Sequence, residues 1–286
     1  MKEQLKYAYF PGCSLESTAS EYNLSVKAVS SRLGIELVEI PEWSCCSASA
    51  GHSVNRRLAH ALAGRNLALA EKTELDMMVA CPACYIRFRT TYQAVKDEPR
   101  QKKEIENLTG LPYRANRGVK HLLDIIYNEV GLDKVKSQVK RPLQNLKVVC
   151  YYGCYLVRPP KVVGFDDPEN PQIIDKLLQA LGADVRDWSG KVDCCGGSLS
   201  LNKKAIAAKL VNDISDMARA AEAEAIVTAC PLCQSNLETR QIGKPDKLPI
   251  IYFTEMMGLA FGIPDSRLWM KKHLISPLNL LGAHNL

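Results

Sequence analysis

The stretch ACPAC at residues 80–84 recurs almost unchanged as ACPLC at residues 229–233. Upstream of each copy lies a pair of adjacent cysteines, and before that pair lies a Gly-Cys dipeptide. The cysteine pair and the CxxC motif are separated by 34 residues in both halves. The matching cysteines are Cys13, Cys45, Cys46, Cys81 and Cys84 in the first half and Cys154, Cys194, Cys195, Cys230 and Cys233 in the second. The shared order and spacing predict a tandem duplication of one unit.

A chain of 286 residues has room for two such units of ordinary domain size. We assign residues 1–140 to the first repeat and residues 141–286 to the second, because the polar segment 136–145 suits a join. The gap between the Gly-Cys dipeptide and the cysteine pair is 31 residues in the first half and 39 in the second. The eight extra residues fall in or beside RPPKVVGFDDPENP, whose prolines and glycine predict an irregular loop directly after Cys154.

Short apolar segments alternate with helical periodicity in each half. YAYF, IELVEI and DMMVA predict strands in the first half, and VVCYY and AIVTA predict strands in the second. The order predicts an α/β fold of two pseudo-symmetric repeats, each a small, mostly parallel sheet flanked by helices, with the cysteine loops at the C-terminal strand ends. The apolar helix positions are Leu58, Leu62 and Leu69 in the first half and Ile206, Leu210 and Ile214 in the second.

Composition excludes several classes of protein. The net charge of +6 is mild and no Lys/Arg run is dense, so no nucleic-acid partner is expected. No apolar run reaches about 18 residues, which predicts no transmembrane segment, and the charged start MKEQLKYAYF does not fit a signal peptide. Eleven cysteines in such a chain predict reduced thiols and metal or redox chemistry. The predicted location is cytoplasmic, with any membrane association made through partners.

Five cysteines per repeat are one more than the four ligands of a structural zinc ion or of a cubane iron–sulfur cluster. Two adjacent cysteines are also poorly placed to bind one tetrahedral ion together. An iron–sulfur cluster of unusual shape, in which one cysteine bridges two irons, uses all five. A zinc ion with one spare thiol stays open as an alternative, mainly for the first repeat. The eleventh cysteine, Cys150, falls inside a predicted strand and is expected in the core.

The full cysteine pattern reads C-x31-C-C-x34-C-x2-C and then C-x39-C-C-x34-C-x2-C. Together with the flanking segments YFPGCSLESTASEYNLSVKAV, LGIELVEIPEWSCC, YYGCYLVRPP and DCCGG, it resembles the doubled CCG domain of the family formed by the B-type subunits of heterodisulfide reductase, over nearly the whole chain. Two positions depart from that pattern. Ser47 stands where the second repeat has Gly196, and Tyr155 stands where relatives often carry a polar residue such as histidine.

The resemblance implies two noncubane 4Fe-4S clusters. By position, the first cluster would bind Cys13, Cys45, Cys46, Cys81 and Cys84, and the second would bind Cys154, Cys194, Cys195, Cys230 and Cys233. It also implies a catalytic subunit of a heterodisulfide-reductase-like complex, in which a disulfide of two small thiols lies between the clusters. Cleavage of an S–S bond takes two electrons, and two one-electron centres can supply them.

Because the sequence contains neither a GxGxxG motif nor a P-loop, electrons are expected from partners. The resemblance implies a ferredoxin-like iron–sulfur subunit and a flavin-containing subunit, in a complex that can bifurcate electrons. Two other functions stay open. One is a non-catalytic electron relay in a quinone-linked succinate, lactate or glycolate complex, and the other is a sulfur-oxidising variant of the same complex.

Few residues outside the cysteines carry a functional prediction. Arg158 and Lys161, in the irregular loop after Cys154, are candidates to bind acidic substrate tails, with an exposed basic pair as the alternative. His52, six positions after Cys46, is a further substrate-site candidate. His60 is expected on a helix surface. The C-terminal segment LWMKKHLISPLNLLGAHNL is expected to dock on a partner protein, with a membrane surface as the alternative.

Overall fold

The computed structural model describes residues 4–48, 51–243 and 245–286, and these form two four-stranded sheets. The first sheet has the strand order β2-β1-β3-β4 and the second has the equivalent order β6-β5-β7-β8. All pairings in the two sheets are parallel. The strands are β1 (Leu5–Phe10), β2 (Ile35–Glu39), β3 (Met77–Val79), β4 (Val119–His121), β5 (Lys147–Tyr151), β6 (Asp184–Val185), β7 (Ala225–Thr228) and β8 (Ile250–Tyr252). The predicted α/β fold of two parallel repeats is confirmed.

The helices connect the strands and cover the sheets. Those of the first half are α1 (Gly12–Leu15), α2 (Ser20–Leu33), α3 (Gly51–Val54), α4 (Arg56–Glu71), α5 (Pro82–Asp97), α6 (Pro99–Thr109), α7 (Leu122–Asp124) and, after the π-helical turn Ile125–Val130, α8 (Leu132–Gln138). Those of the second half are α9 (Pro160–Val163), α10 (Ile173–Ala180), α11 (Lys204–Ala220), α12 (Pro231–Thr239), α13 (Phe253–Ala260), α14 (Ser266–Trp269) and α15 (Leu278–Ala283). Short 3-10 turns lie at Ser189–Val192, Gly197–Leu199 and Met270–Lys272.

Two features of the strands and helices correct the sequence analysis. A fourth strand, β4 or β8, completes each sheet, and each is three residues long and runs directly into a helix. The helices around residues 58–69 and 206–214 are present, but Leu58 is 49% exposed and Ile206 is 50% exposed. Small residues form the close contact between helices instead. Gly64 of α4 packs so tightly on α6 that an added Cβ atom would lie only 2.5 Å from Ile105.

The two halves share one hydrophobic core. Residues of both sheets belong to the same buried cluster, and a second, smaller cluster lies between α11 and the outer face of the second sheet. Across the boundary, Tyr22 of α2 stacks on Tyr252 with ring centroids 4.1 Å apart. The hydroxyl groups of Ser25 and Thr254 lie 2.6 Å apart in the same contact. Helix α2 of the first half therefore packs directly against the second half.

The C-terminal segment packs partly on the chain itself, whereas Leu268 and Leu274 stay exposed, so its docking on a partner remains a prediction. Lys272 donates a hydrogen bond to the Ser20 hydroxyl of α2 at 2.6 Å. The apolar side chains Trp269, Met270, Leu281 and Leu286 are buried. Within the described residues, we find no helix with both the length and the apolar content needed to cross a membrane.

Candidate metal centre

The cysteines gather at the C-terminal ends of the strands, as the sequence predicts. Strand β3 ends at Val79, and Cys81 is the N-cap residue of α5. In the same way, β7 ends at Thr228, and Cys230 is the N-cap of α12. Proline occupies the first helical position after each of these cysteines, where a missing N–H leaves no hydrogen bond unmade. Each CxxC motif thus lies at the edge where parallel sheets place their functional sites.

The cysteines of the first repeat run from the core to the surface. Cys46, Cys81 and Cys84 are buried, whereas Cys13 and Cys45 are exposed. The Sγ atoms of Cys46 and Cys84 lie 2.9 Å apart. These five cysteines together are called the first cysteine set.

The second repeat has an equivalent arrangement, here called the second cysteine set. Cys195, Cys230 and Cys233 are buried, Cys154 is half-buried and Cys194 is exposed. The Sγ atoms of Cys195 and Cys233, which correspond to Cys46 and Cys84, lie 3.6 Å apart. The geometry of the cysteines, like their spacing, is therefore repeated.

Ser47 departs from the sequence pattern without changing the backbone. Ser47 has φ of 65° and Gly196 has φ of 74°, so both residues lie in the left-handed region. In each case the backbone N–H donates to the sulfur of the cysteine two positions earlier: Ser47 to Cys45 Sγ at 3.3 Å and Gly196 to Cys194 Sγ at 3.4 Å. A left-handed serine costs about 1–2 kcal/mol, and the turn keeps its sulfur contact despite that cost.

The two cysteine sets meet at the boundary between the halves. The thiols of Cys81 and Cys230 lie close enough to shift each other's pKa. The Tyr22 hydroxyl lies 3.0 Å from the carbonyl oxygen of Ala80 and 2.9 Å from that of Ala229, the residues that precede these cysteines. One hydroxyl therefore reaches both CxxC turns.

Neighbouring thiols favour deprotonation at selected positions. The hydrogen bond with Cys154 is the main cause that lowers the pKa of Cys194 to about 6. The hydrogen bond with Cys45 likewise lowers the pKa of Cys46 well below its usual value. The partner thiol of each pair shifts the opposite way, because the same hydrogen bond raises the pKa of Cys154 and of Cys45 above the usual range.

The spacing of the thiols fits an extended cluster better than a single ion. Four thiolates around one zinc ion lie about 3.8 Å from one another, given Zn–S bonds of about 2.3 Å. In the described part of the chain, no three Cys, His, Asp or Glu side chains converge closely enough to bind one ion. Close thiol contacts link neighbouring cysteines, such as Cys46 with Cys84 and Cys195 with Cys233, and each set spans from the buried interior to solvent. An iron–sulfur assembly with several irons needs ligands that are spread in this way.

Glycine keeps space open beside the buried sulfurs. Gly12 and Gly153 have φ of 73° and 65°, and a Cβ atom would lie 3.4 Å from Cys84 Sγ and 3.2 Å from Cys233 Sγ, respectively. A side chain at either position would be strained and would crowd the sulfur. The Gly-Cys dipeptide of each repeat therefore admits a group next to the thiols, and the residues present fit an iron–sulfur cluster.

His121 supports the first CxxC motif, a role that the sequence analysis does not predict. Its Nδ1 accepts a hydrogen bond from the Leu123 N–H at 3.2 Å, so Nε2 carries the proton and donates to the Ala80 carbonyl at 2.8 Å. Burial lowers the pKa of His121 to about 4, which keeps the ring neutral. This residue ends β4, the strand that the sequence analysis also missed.

The three predicted substrate-site residues do not come together. Arg158 lines a cleft of about 480 Å³ with Cys154 and pairs with Glu169 at 2.7 Å. Lys161 is exposed on α9. His52 lies in a separate cleft of about 250 Å³ that Arg87 also lines. Only Arg158 is placed beside a cysteine as predicted, and Arg87 was not predicted at all.

Cys150 lies where the sequence predicts it, inside β5 and fully buried. Burial is the main cause that raises the pKa of its thiol well above the usual value. The thiol is therefore protonated at neutral pH and behaves as a small core side chain.

Comparisons with known proteins agree with the duplicated architecture. The family model of the CCG cysteine-rich domain matches residues 7–89 and again residues 148–238. The chain is 35% identical to the 8-methylmenaquinol:fumarate reductase membrane anchor subunit of Wolinella succinogenes, over 97% of this chain and 99% of that protein. It is 28% identical to the B-type subunit of the ferredoxin:CoB-CoM heterodisulfide reductase of Methanosarcina mazei, over 96% of each.

A crystal structure of a hypothetical protein from Helicobacter pylori has a similar fold, with a TM-score of 0.73 at 11% identity. The match covers 95% of this chain and 52% of that structure, so this chain spans about half its length.

Proposed function

The chain belongs to the family of CCG cysteine-rich domain proteins, and from this premise we propose that it is the disulfide-reducing subunit of a heterodisulfide-reductase-like complex. Two noncubane 4Fe-4S clusters, one on each cysteine set, are the proposed cofactors. When bound, such clusters supply electrons one at a time. Reduction of one disulfide to two thiols consumes two electrons and two protons.

The observation that carries this proposal is the meeting of the two cysteine sets. The contact between Cys81 and Cys230, together with the Tyr22 hydroxyl, holds the two CxxC turns side by side. Two one-electron centres at one place suit a two-electron reaction on one small molecule.

Access from solvent also supports a substrate at this place. Cys154 and Arg158 line an open cleft of about 480 Å³, and Cys13, Cys45 and Cys194 are exposed. A small disulfide can therefore reach exposed cysteines of each set from solvent. Arg158 can bind an acidic substrate group there. That contact would replace its partly exposed ion pair with Glu169.

The proposed partners are a ferredoxin-like iron–sulfur subunit and a flavin-containing subunit, as the resemblance to the heterodisulfide reductase family implies. The name of the relative from Methanosarcina mazei supports a link to ferredoxin. Those partners would supply the electrons that the clusters deliver.

A second function is favoured by one specific comparison. The relative from Wolinella succinogenes, at 35% identity over nearly the whole chain, is a membrane anchor subunit of a quinol-linked fumarate reductase. On this alternative, the two cysteine sets pass electrons between a quinol and a partner enzyme, and no disulfide is cleaved.

One experiment separates the two functions. Protein purified without oxygen is supplied with reduced methyl viologen and a panel of small disulfides, and viologen oxidation is followed. The disulfide reductase should oxidise two viologens per disulfide cleaved and release two thiols, whereas Cys195→Ala should be inactive. If no disulfide is reduced while a soluble menaquinol analogue reduces the EPR-active centres, the relay function replaces the proposed one.

A further inference from the structure

The residue directly before each cysteine pair has its backbone held by a buried side chain. In the first repeat, Asn66 of α4 accepts from the Ser44 N–H at 2.8 Å and donates to the Ser44 carbonyl at 2.9 Å. In the second repeat, the Tyr151 hydroxyl donates to the Asp193 carbonyl at 2.6 Å. Ser44 and Asp193 each precede their cysteine pair by one position, so equivalent carbonyl groups are bound in the two halves.

The two repeats make this contact with residues at different positions. Phe10 occupies the position of the first half that Tyr151 occupies in the second, and it has no hydroxyl group. Ser215 occupies the position of the second half that Asn66 occupies in the first. The Ser215 hydroxyl donates to the Val211 carbonyl of its own helix at 2.9 Å. Each repeat therefore has one of the two possible supports, and they are not the same one.

Asn66 is a buried amide whose hydrogen bonds are all accounted for. It is fully buried within α4, where asparagine is a poor helix former. Its Nδ2 also donates to the Leu62 carbonyl at 3.0 Å, so both halves of the amide are paired. Because Oδ1 accepts from an N–H and Nδ2 donates to carbonyls, the amide has one orientation. It therefore holds Ser44 at a fixed place on α4.

Tyr151 lies among the thiols of the second cysteine set. Burial, followed by the charges of Cys233 and Cys195, raises the pKa of its hydroxyl well above the usual value. The ring also packs over Gly153, where an added Cβ atom would lie 3.4 Å from it. The hydroxyl is thus a buried donor that connects the Gly-Cys turn to Asp193.

The contact acts on two ligands at once. Cys45 and Cys194 directly follow the held residues, and both are exposed, so little packing restrains them. Movement of the preceding backbone displaces both thiols of a cysteine pair together. Groups that orient metal ligands typically contribute about ten- to hundredfold to metal affinity.

We propose that Asn66 and Tyr151 are positioning residues, each of which fixes the cysteine pair of its own repeat for cluster binding. The inference rests on the proposed clusters and goes beyond them, because it assigns each half a different support. Asn66 makes two hydrogen bonds to Ser44, whereas Tyr151 makes one, and Asn236 adds a separate contact to the Cys195 carbonyl at 2.5 Å. Loss of Asn66 should therefore have the larger effect.

The test exchanges the supports of the two repeats. Asn66→Ser introduces the serine of the second half, and Tyr151→Phe introduces the phenylalanine of the first. Iron release from the holoprotein to a ferrous chelator is followed without oxygen. Asn66→Ser should speed the release of half of the iron about ten- to hundredfold. Tyr151→Phe should speed the release of the other half about tenfold, the loss expected for one hydrogen bond.

A cysteine variant shows which half of the iron responds. Cys46→Ala should retain only the second cluster. In this background, Tyr151→Phe should speed the release of all the remaining iron and alter its EPR spectrum. Asn66→Ser should change neither the release rate nor the spectrum there.

Compensating substitutions separate positioning from general stability. Phe10→Tyr combined with Asn66→Ser should restore slow iron release, because it gives the first half the support of the second. Ser215→Asn combined with Tyr151→Phe should do the same for the second half. Unchanged release in both single variants, or no rescue in either double variant, would overturn the inference.

Tyr152→Phe is the matched control. It removes a buried hydroxyl that donates to Asp175 at 2.6 Å, one residue along the chain from Tyr151. Its Tm should fall, while iron release and EPR match wild type. Equally fast release in Tyr151→Phe and Tyr152→Phe would overturn the inference, and a wild type without iron would overturn the proposed clusters with it. If the variants respond as expected but no disulfide is reduced, the positioning role stands and the proposed function fails.

Discussion

The hydroxyl of Tyr22 donates to the carbonyl oxygen of Ala229 at 2.9 Å, although 207 residues separate them in the chain. The same hydroxyl lies 3.0 Å from the carbonyl oxygen of Ala80. Burial raises the pKa of Tyr22 well above its usual value, so the group keeps the proton that it shares between the two carbonyls. Helix α2 has no counterpart tyrosine in the second half, and this contact is therefore a single clamp on two symmetric turns.

Tyr22→Phe should remove the hydroxyl contacts with the two CxxC turns without leaving a cavity in the core. The phenyl ring keeps the stack on Tyr252, but the buried Ala229 carbonyl loses its donor, whereas Ala80 still accepts from His121. We expect a loss of about 1–2 kcal/mol in the free energy of unfolding, the usual cost of an unsatisfied buried acceptor. The apparent Tm of the anaerobic protein should fall by about 2–4 °C for each kcal/mol lost.

Tyr113→Phe is the matched control. The Tyr113 hydroxyl is also buried, but it has no hydrogen-bond partner among the described residues. Its removal should leave Tm unchanged or slightly raised, because no bond is broken. Equal effects of the two substitutions would show that the clamp contributes nothing beyond packing.

The sequence predicts the cysteine ligands but not the side chains that hold the cysteine turns in place, and the reason is physical. Cysteine is rare and its spacing is set by the strand ends, so both cysteine sets and the parallel sheets can be inferred from the pattern. Tyr22, His121 and Tyr151 act through contacts with groups far along the chain, and no local periodicity marks such contacts. The short strands β4 and β8 give too little alternation to be detected.

The buried faces of the helices show the same limit of prediction from sequence. The sequence analysis gives weight to large apolar residues, and it therefore places Leu58 and Ile206 toward the core. In α4 and α11, Ala59 and Ala207 are buried instead, because small side chains let these helices pack closely. Size complementarity between helices depends on the partner surface, which the sequence of one helix does not contain.

A buried histidine of the C-terminal segment contacts α12, the helix that begins at the second CxxC motif, and it predicts that stability depends on pH. His273 lies between Glu238 of α12 and Glu255 of α13, with its ring nitrogens 3.0 Å from a carboxylate oxygen of each. Burial alone lowers its pKa, but the hydrogen bonds to Glu238 and Glu255 outweigh burial and raise it to about 10. Glu21 of α2 and Lys272 are further charged groups near this site.

The direction in which stability changes with pH follows from the raised pKa of His273. The folded pKa of His273 is above the unfolded value of about 6.5, so the stabilisation is fully present below pH 6.5 and is lost as pH rises toward 10. Thermal melts from pH 6.5 to 10 should show Tm of the wild type falling more steeply than that of His273→Gln. The variant should be less stable than wild type at pH 7, because it leaves two buried carboxylates without an imidazolium. Parallel pH profiles of the two proteins would contradict this assignment.

Cys150→Ala should separate the core cysteine from the ligand cysteines. The side chain is fully buried in β5, so loss of its sulfur should cost about 1 kcal/mol of stability. Iron content and disulfide reduction should match wild type. The informative comparison is Cys195→Ala, which should lose both iron and disulfide reduction. A Cys150→Ala protein with less iron than wild type would instead show that Cys150 is a cluster ligand.

The two cysteine sets should each hold iron, and neither should support turnover alone. We expect about eight irons and negligible zinc per chain after purification without oxygen, four for each cluster. Cys81→Ala should lower the iron to about half and stop disulfide reduction, although the second cysteine set is unchanged.

Because the thiols of Cys81 and Cys230 interact, Cys81→Ala by itself could disturb both sites. Cys46→Ala removes a thiol that contacts Cys84 at 2.9 Å within the first set, and it should give the same half-loss of iron and the same loss of activity. EPR of both variants should retain the spectrum of the second cluster. Substantial disulfide reduction by either variant would mean that the first set is a relay or a scaffold, because cleavage between two clusters requires both to be present at once.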